Sequence, residues 1–416
     1  MNFLRSTYTD SVDFFNGKNP VALIEQYGSP LYVYSEKILR QLCRQVKQLM
    51  NIPGGEVFFS TKANSNPHLL RIIREEGVMV DAMSPGEIAM LQEAGYTRDN
   101  ILYVCNNVSA EELRFAHENA SLVSVDSLEQ LESFGQVNPG ARVMIRLNPG
   151  IGAGHHKKVI TAGKETKFGM SIEEIDVIRT TVARHNLHIV GLNQHVGSLF
   201  MQGEPYLEAV QWLLDKAALF PEIEVLDFGG GFGIPYKKYE DEMPFDMVDM
   251  GQKLTELLSN WVTKTGYTGR FFIEPGRYVA AEAGLLLGTV QGVKENSGTT
   301  YAGTDIGFSV LARPMLYDAF HDIELYAPQE ERPLLEQTVV GNICESGDIV
   351  GSNRLLPTLT KGDVIGVLDA GAYGHVMSSN YTKRLRPAEV LITEVGEVRL
   401  IRRRDSIDDL LAVYRV

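Results

Sequence analysis

Several short stretches carry residues whose types and spacing suit chemistry. In VFFSTKANSNP (57–67) a lysine, Lys62, follows an apolar run and precedes a polar segment ending on proline. An amine at the edge of a low-dielectric pocket can lose its proton and attack a carbonyl, so Lys62 is a candidate for a Schiff base with a carbonyl cofactor or substrate. The plain alternative is a solvated lysine at a strand end, the commoner fate of this residue type. In DFGGGFGIP (227–235) the consecutive Gly229, Gly230 and Gly231 allow backbone N–H groups to converge as an anion nest, or else form a flexible turn. In EPGR (274–277) Glu274 can pair with a protonated ring nitrogen, or sit in a surface ion pair with Arg277.

HVGS (195–198) adds an imidazole, His195, that can stack on a ring, and a hydroxyl, Ser198, that can bind phosphate. A lone histidine is more often a satisfied core residue. CESGD (344–348) sets the thiol of Cys344 beside two carboxylates, although most lone cysteines are inert buried groups. His155 and His156 lie in a Gly-rich stretch, where adjacent side chains point in different directions and make a poor metal site. No metal is expected.

These stretches need a scaffold that brings distant segments together. From residue 56 the sequence alternates short β-rich runs with stretches of helical periodicity, the pattern of parallel strands joined by crossover helices. The runs are EVFFS (56–60), VMVDA (78–82), ILYVC (101–105), LVSV (122–125), RVMIRL (142–147), HIVGLNQH (188–195), IEVLDF (223–228) and RFFIE (270–274). Eight such repeats predict a closed (β/α)8 TIM-type barrel, whose strand C-termini carry the chemistry. An open doubly wound sheet would more often place its Gly-rich turn after the first strand, and here the glycines follow the seventh. Each run is followed by a polar residue or glycine: Lys62, Asp81, Asn106, Asp126, Asn148, His195, Gly229 to Gly231, and Glu274. A phosphate seat after the seventh strand and a lysine after the first suggest pyridoxal 5′-phosphate.

After residue 280 the texture changes to strand-like runs with few long helical stretches, which predicts a second, all-β domain of sandwich or barrel-like form. We place the cofactor-binding barrel at 30–280 and the β domain at 1–29 plus 281–416. The chain of 416 residues is 44% hydrophobic and 22% charged, with a formal charge of −14. That balance argues against a nucleic-acid surface, which needs a basic stripe. No apolar run is long enough to cross a membrane, and the N-terminal stretch lacks the form of a signal peptide, so the expected location is cytoplasmic. Cys43, Cys105 and Cys344 are the only cysteines, too few for a disulfide framework and without metal-ligand spacing.

With these residues assembled, the sequence resembles the diaminopimelate decarboxylases, a family of pyridoxal-phosphate decarboxylases built on an alanine-racemase-like barrel plus a β domain. The matching pieces are FFSTKANSNP, HVGS, DFGGGFGIPY, EPGRY, ARPMLYDAFH, CESGD and DAGAYGHVMSSNYTKRLRPAEVL, in the family's order over nearly the whole chain. The resemblance implies that Lys62 holds the cofactor, His195 stacks on its ring and Glu274 meets its ring nitrogen. Ser198, Gly229, Gly230, Gly231 and Tyr373 would hold the phosphate. Arg277, Arg313 and Tyr317 would receive substrate carboxylate, with Tyr373 also bordering the substrate and Glu345 taking the distal amino group. Cys344 would protonate the α-carbon after carbon dioxide leaves. The implied reaction converts meso-2,6-diaminopimelate to L-lysine, in a homodimer whose active sites are shared between subunits.

Three stretches depart from the family's usual pattern. Asn193 stands where many members carry histidine, Met83-Ser84-Pro85 replaces a more usual Val-Ser-Gly, and YVCNNVS differs from a glycine-containing form. They bear on substrate before chemistry. The alternatives are a decarboxylase for ornithine, lysine, carboxynorspermidine or a siderophore precursor, and a non-catalytic cofactor-binding homologue. Retention of Lys62, Glu274, Cys344 and Tyr373 argues against the last.

Overall fold

A computed structural model describes residues 7–150, 166–240, 242–326 and 332–416. The His155-His156 pair lies outside the described residues. The chain divides into two compact units: one of Arg40–Ile234 and Pro244–Val279, the other of Met1–Leu39, Pro235–Met243 and Ala280–Val416.

The first strand in the chain, β1 (Leu31–Ser35), belongs to the second unit. The eight expected runs then form β2 (Gly55–Ser60), β3 (Met79–Ala82), β4 (Ile101–Val104), β5 (Leu122–Val125), β6 (Arg142–Arg146), β7 (His188–Asn193), β8 (Val225–Asp227) and β9 (Arg270–Ile273). All are parallel, and β2 pairs with both β3 and β9, which closes the barrel.

Local chemistry starts the crossover helices cleanly. Asn66 caps Pro67–Glu75, Ser84 caps Pro85–Glu93, Ser109 caps Ala110–Asn119 and Ser127 caps Leu128–Val137, each side chain accepting an N–H of the first turn. Each such cap is worth about 1 kcal/mol, and proline at the first helical position of two of them fits because its missing N–H has no helical partner there.

Strand periodicity builds the interior in layers. Phe58, Leu102, Leu122, Met144, Val190, Val225 and Phe272 form one apolar cluster, with Met79 packed against it, so every strand contributes. Side chains two residues apart share a face. Two residues further toward the strand C-termini stand Ser60, Asp81, Val104, Ser124, Arg146, Asp227 and Glu274. The register between β6 and β7 is irregular near Val190, pairing Val143 with Ile189 but Met144 with Gly191. The shift lets Asn193, three residues beyond Val190, join the polar layer.

The second unit is built on a mixed sheet that adds β10 (Gly284–Asn296), β11 (Thr299–Thr304), β12 (Ile323–Tyr326), β13 (Leu334–Val340), β14 (Ile349–Pro357), β15 (Val364–Val367), β16 (Ala388–Ile392) and β17 (Val398–Arg402). Its main path runs β14-β13-β11-β10-β1-β16-β17, with β15 pairing β10 and β12. Phe14, Phe15 and Leu23 from the N-terminal segment pack into its core with Leu31, Val33, Leu285, Leu287 and Val390. The second domain, expected as all-β, is mostly sheet, with the short helices Pro20–Tyr27 and Ile407–Ala412 added to it.

Candidate active site

Within the barrel unit, the expected residues converge on the strand C-terminal end. Lys62 lies in the single turn Thr61–Ala63 that follows β2. It is exposed, and its charge bears on Asp81, Glu87, His195 and Glu274. Two buried strand-end carboxylates and an imidazole thus lie within reach of its charge.

Behind Lys62 is a ring of buried polar groups from different strands. Ser60 Oγ donates to Asp81 Oδ2 at 2.6 Å, and Asn193 Nδ2 donates to Asp227 Oδ2 at 3.0 Å and to Glu274 Oε2 at 3.5 Å. Glu274 is therefore buried rather than at a surface ion pair. Burial raises all three carboxyl groups: Asp81 to about 6, Asp227 to about 7, and Glu274 well above the usual range, with Asp227 and Asp81 adding like-charge repulsion at Glu274. Among the described residues, Glu274 Oε1, Asn193 Oδ1 and Arg146 Nη2 are buried without a hydrogen-bond partner. Buried polar atoms in that state point to a ligand that completes them.

The glycine run is required by close backbone approach. A Cβ on Gly230 would lie 2.0 Å from the Glu274 carbonyl oxygen, and one on Gly229, whose φ is +67°, would lie 2.4 Å from the Gln194 carbonyl oxygen. Only glycine fits such a cradle. Gly229 N–H donates to Asp227 Oδ1 at 2.9 Å, and Gly230 N–H donates to His195 Nδ1 at 3.1 Å. A ring nitrogen that accepts carries no proton, so the neutral imidazole keeps its proton on Nε2. Burial, then the charges of Lys62 and Arg146, push the His195 pKa well below the ordinary value in agreement with that tautomer. Arg277 Nη2 donates to Ser198 Oγ at 3.0 Å, joining the EPGR and HVGS stretches.

The second unit holds the other expected residues. Arg313 and Tyr317 open and close one short helix, four residues apart and so on one side of it. Tyr373 adopts φ +56°, an uncommon backbone for a bulky residue and the kind of strain that collects at functional sites. Cys344 and Glu345 are exposed. Their loop is fastened below by the buried Asp348, whose carboxylate accepts from Phe308 N–H at 2.6 Å and Ile343 N–H at 2.7 Å. Tyr381 Oη donates to Glu345 Oε1 at 2.7 Å. No group of three or more metal-ligating side chains occurs among the described residues.

Sequence reasoning passed over Arg146 and Ser60. Both were detectable, since each is a polar residue two places beyond an apolar residue of the same strand face. The role of Asn193 was visible only as a departure from a familiar pattern.

A closed barrel, a glycine cradle and a lysine beside buried carboxylates suit a cofactor that joins an anionic group to a reactive carbonyl. Residues 36–281 match the family described as pyridoxal-dependent decarboxylase, pyridoxal binding domain. Fold and match together define the class: a carboxy-lyase that uses pyridoxal phosphate. The chain is 40% identical, over 95% of its length and 94% of the relative's, to a diaminopimelate decarboxylase of Methanothermobacter thermautotrophicus. It is 34% identical, over 99% of its length and 98% of the relative's, to the diaminopimelate decarboxylase of Escherichia coli strain K12. The structure of the Helicobacter pylori diaminopimelate decarboxylase complexed with L-lysine superposes with a TM-score of 0.85 at 28% identity, covering 95% of this chain and 99% of that one. The chain belongs to the diaminopimelate decarboxylase family.

Proposed function

We propose that this protein decarboxylates meso-2,6-diaminopimelate at its D-configured centre, giving L-lysine and carbon dioxide, the last step of lysine biosynthesis. The observation that carries the reading is the 40% identity to a diaminopimelate decarboxylase over 95% of the chain. The two domains expected at 30–280, carrying the cofactor, and at 1–29 plus 281–416 correspond to the two compact units, except that residues 30–39 and Pro235–Met243 cluster with the second unit.

When bound, pyridoxal phosphate supplies the electron sink that accepts the pair left as carbon dioxide departs. The chain's own residues do the rest. Lys62 Nζ would hold the cofactor through its carbonyl between turnovers. Gly231 would offer its backbone N–H to the phosphate, while Gly229 and Gly230, whose own N–H groups are held by Asp227 and His195, shape the turn beside it, and Ser198 and Tyr373 would add hydroxyls. His195, neutral and fixed through Nδ1, would lie against the ring, and Glu274 would meet the ring nitrogen. The fit is supported by the orphaned Oε1 of Glu274. Arg277, Arg313, Tyr317 and Tyr373 bind the substrate, the arginines and Tyr317 through carboxylate, while Glu345 takes the distal amino group. Cys344 Sγ–H gives its proton to the α-carbon.

The working unit is a homodimer with shared active sites, in the cytoplasm. Support comes from Cys344 and Glu345, which stand exposed on a loop whose base is fixed by Asp348. Among the described residues no helix is long and apolar enough to cross a membrane.

Incubating the purified protein separately with meso-diaminopimelate, L-lysine and L-ornithine and following carbon dioxide release tests the reading. Release from the first alone is expected. Equal turnover of lysine and diaminopimelate overturns it.

A further inference from the structure

Arg313 is almost fully buried, at 2% exposure, and it is held on two sides. Its Nη1 lies 2.7 Å from His321 Nε2, and His321 Nδ1 lies 2.7 Å from the Leu368 carbonyl oxygen. Its guanidinium carbon sits 4.7 Å from the centroid of the Tyr236 ring, and that ring meets His321 edge-on at 5.2 Å. All of these residues belong to the second unit.

The hydrogen bonds can run in only one direction. A carbonyl oxygen accepts, so His321 Nδ1 carries the proton; a guanidinium donates, so Nε2 offers its lone pair. The imidazole is therefore neutral in this arrangement. It orients the guanidinium without neutralising it, whereas a carboxylate in its place would compete with an incoming carboxylate for the same charge. The face of Tyr236 fixes the guanidinium plane by a cation–π contact.

We propose that His321, with Tyr236, is a positioning residue that aims Arg313 at the distal carboxylate of the substrate and so sets selectivity for a carboxylate-bearing chain. This rests on the reading that Arg313 receives that carboxylate.

The test uses the holoenzyme and two ligands of equal chain length, L-lysine and 1,5-diaminopentane, titrated by calorimetry. His321→Asn keeps a donor for Leu368 but loses the acceptor for Arg313; His321→Gln returns an acceptor near the lost one. His321→Asn is expected to weaken L-lysine about 10-fold, the scale of a lost hydrogen bond to a charged group, and to leave the diamine unchanged. In turnover it raises KM for diaminopimelate and spares kcat, and His321→Gln recovers most of the loss. Equal weakening of both ligands, or no weakening of either, overturns the proposal. Arg313→Gln separates the two layers: if it leaves L-lysine binding intact, the reading of Arg313 falls, and if it weakens binding while His321→Asn does not, only the positioning role falls. Should His321→Asn lose its cofactor absorbance or its cooperative melt, Tyr236→Leu decides by the same lysine-selective criterion.

Discussion

The side-chain amide of Asn193 donates to Asp227 Oδ2 at 3.0 Å inside the barrel, and the other oxygen of Asp227 accepts the N–H of Gly229 at 2.9 Å. One carboxylate thus ties the glycine cradle to the polar ring that contains Glu274. Asn193→Leu removes the donor and leaves Asp227 Oδ2 buried beside an apolar group. The expected loss is about 1–3 kcal/mol of stability, the usual cost of stranding a buried acceptor. Urea unfolding of the two proteins measures it, and coincident midpoints with equal slopes would show that the amide is dispensable.

Gly230→Ala places a methyl group 2.0 Å from the Glu274 carbonyl oxygen, a clash with backbone that no side-chain rotation relieves. The strand glycine Gly292 has nothing within 4 Å of the same position. Gly230→Ala is expected to lose cofactor or to fail to accumulate, while Gly292→Ala keeps both yield and visible cofactor absorbance. Normal cofactor content in Gly230→Ala would mean that the cradle tolerates movement.

Much of this arrangement was legible in the linear sequence because strands repeat every two residues. Phe58 and Ser60, Met79 and Asp81, Phe272 and Glu274 each pair an apolar layer with a polar one, and the count of such runs leads to a closed barrel. Arg146 obeys the same spacing from Met144 and went unread because it sits inside an apolar run, before Leu147. Asn193 is inward only because the register slips near Val190, and no local signal announces a slip. The segment Pro235–Met243 falls inside the expected barrel range of 30–280, yet it clusters with the second unit. Its anchors, Tyr236 against Arg313 and Lys238 against Glu282 and Asp369, are partners more than forty residues away.

Lys238 shows what those anchors are worth. Its side chain is 3% exposed; Nζ donates to Glu282 and lies 3.6 Å from Asp369 and 5.0 Å from the Tyr8 ring centroid. Burial alone would lower its pKa, but Asp369 and Glu282 more than reverse that, so the ammonium stays charged. Removing one member of a buried pair costs about 3–5 kcal/mol because the other charge is left unpaired. Lys238→Met is expected to be destabilised on that scale, and the double variant Lys238→Met/Asp369→Asn to recover part of the loss. No recovery in the double variant would show that the damage is loss of packing.

Stability of the cofactor-free protein should fall as pH rises through the neutral range. An unfolded aspartate titrates near 3.9, whereas burial raises folded Asp81 to about 6 and Asp227 to about 7. Between roughly pH 4 and 7 the folded state therefore binds more protons than the unfolded state, and the stability derived from those protons is lost as pH climbs through the folded values. Glu87, raised to about 7, and Asp369, raised to about 8, act in the same sense. His117, His195 and His375, all pushed below the ordinary histidine value, oppose them within this window but are fewer, and Asp405, held at about 2, opposes them only below it. Melting temperatures of the stripped protein measured at about pH 5.5 and 7.5 should be higher at the lower pH, with Asp227→Asn flattening the difference because an amide has no proton to lose. A wild-type melt that rises with pH across this range, or an unchanged slope in Asp227→Asn, would place these carboxyl groups in a wetter setting than the barrel interior provides.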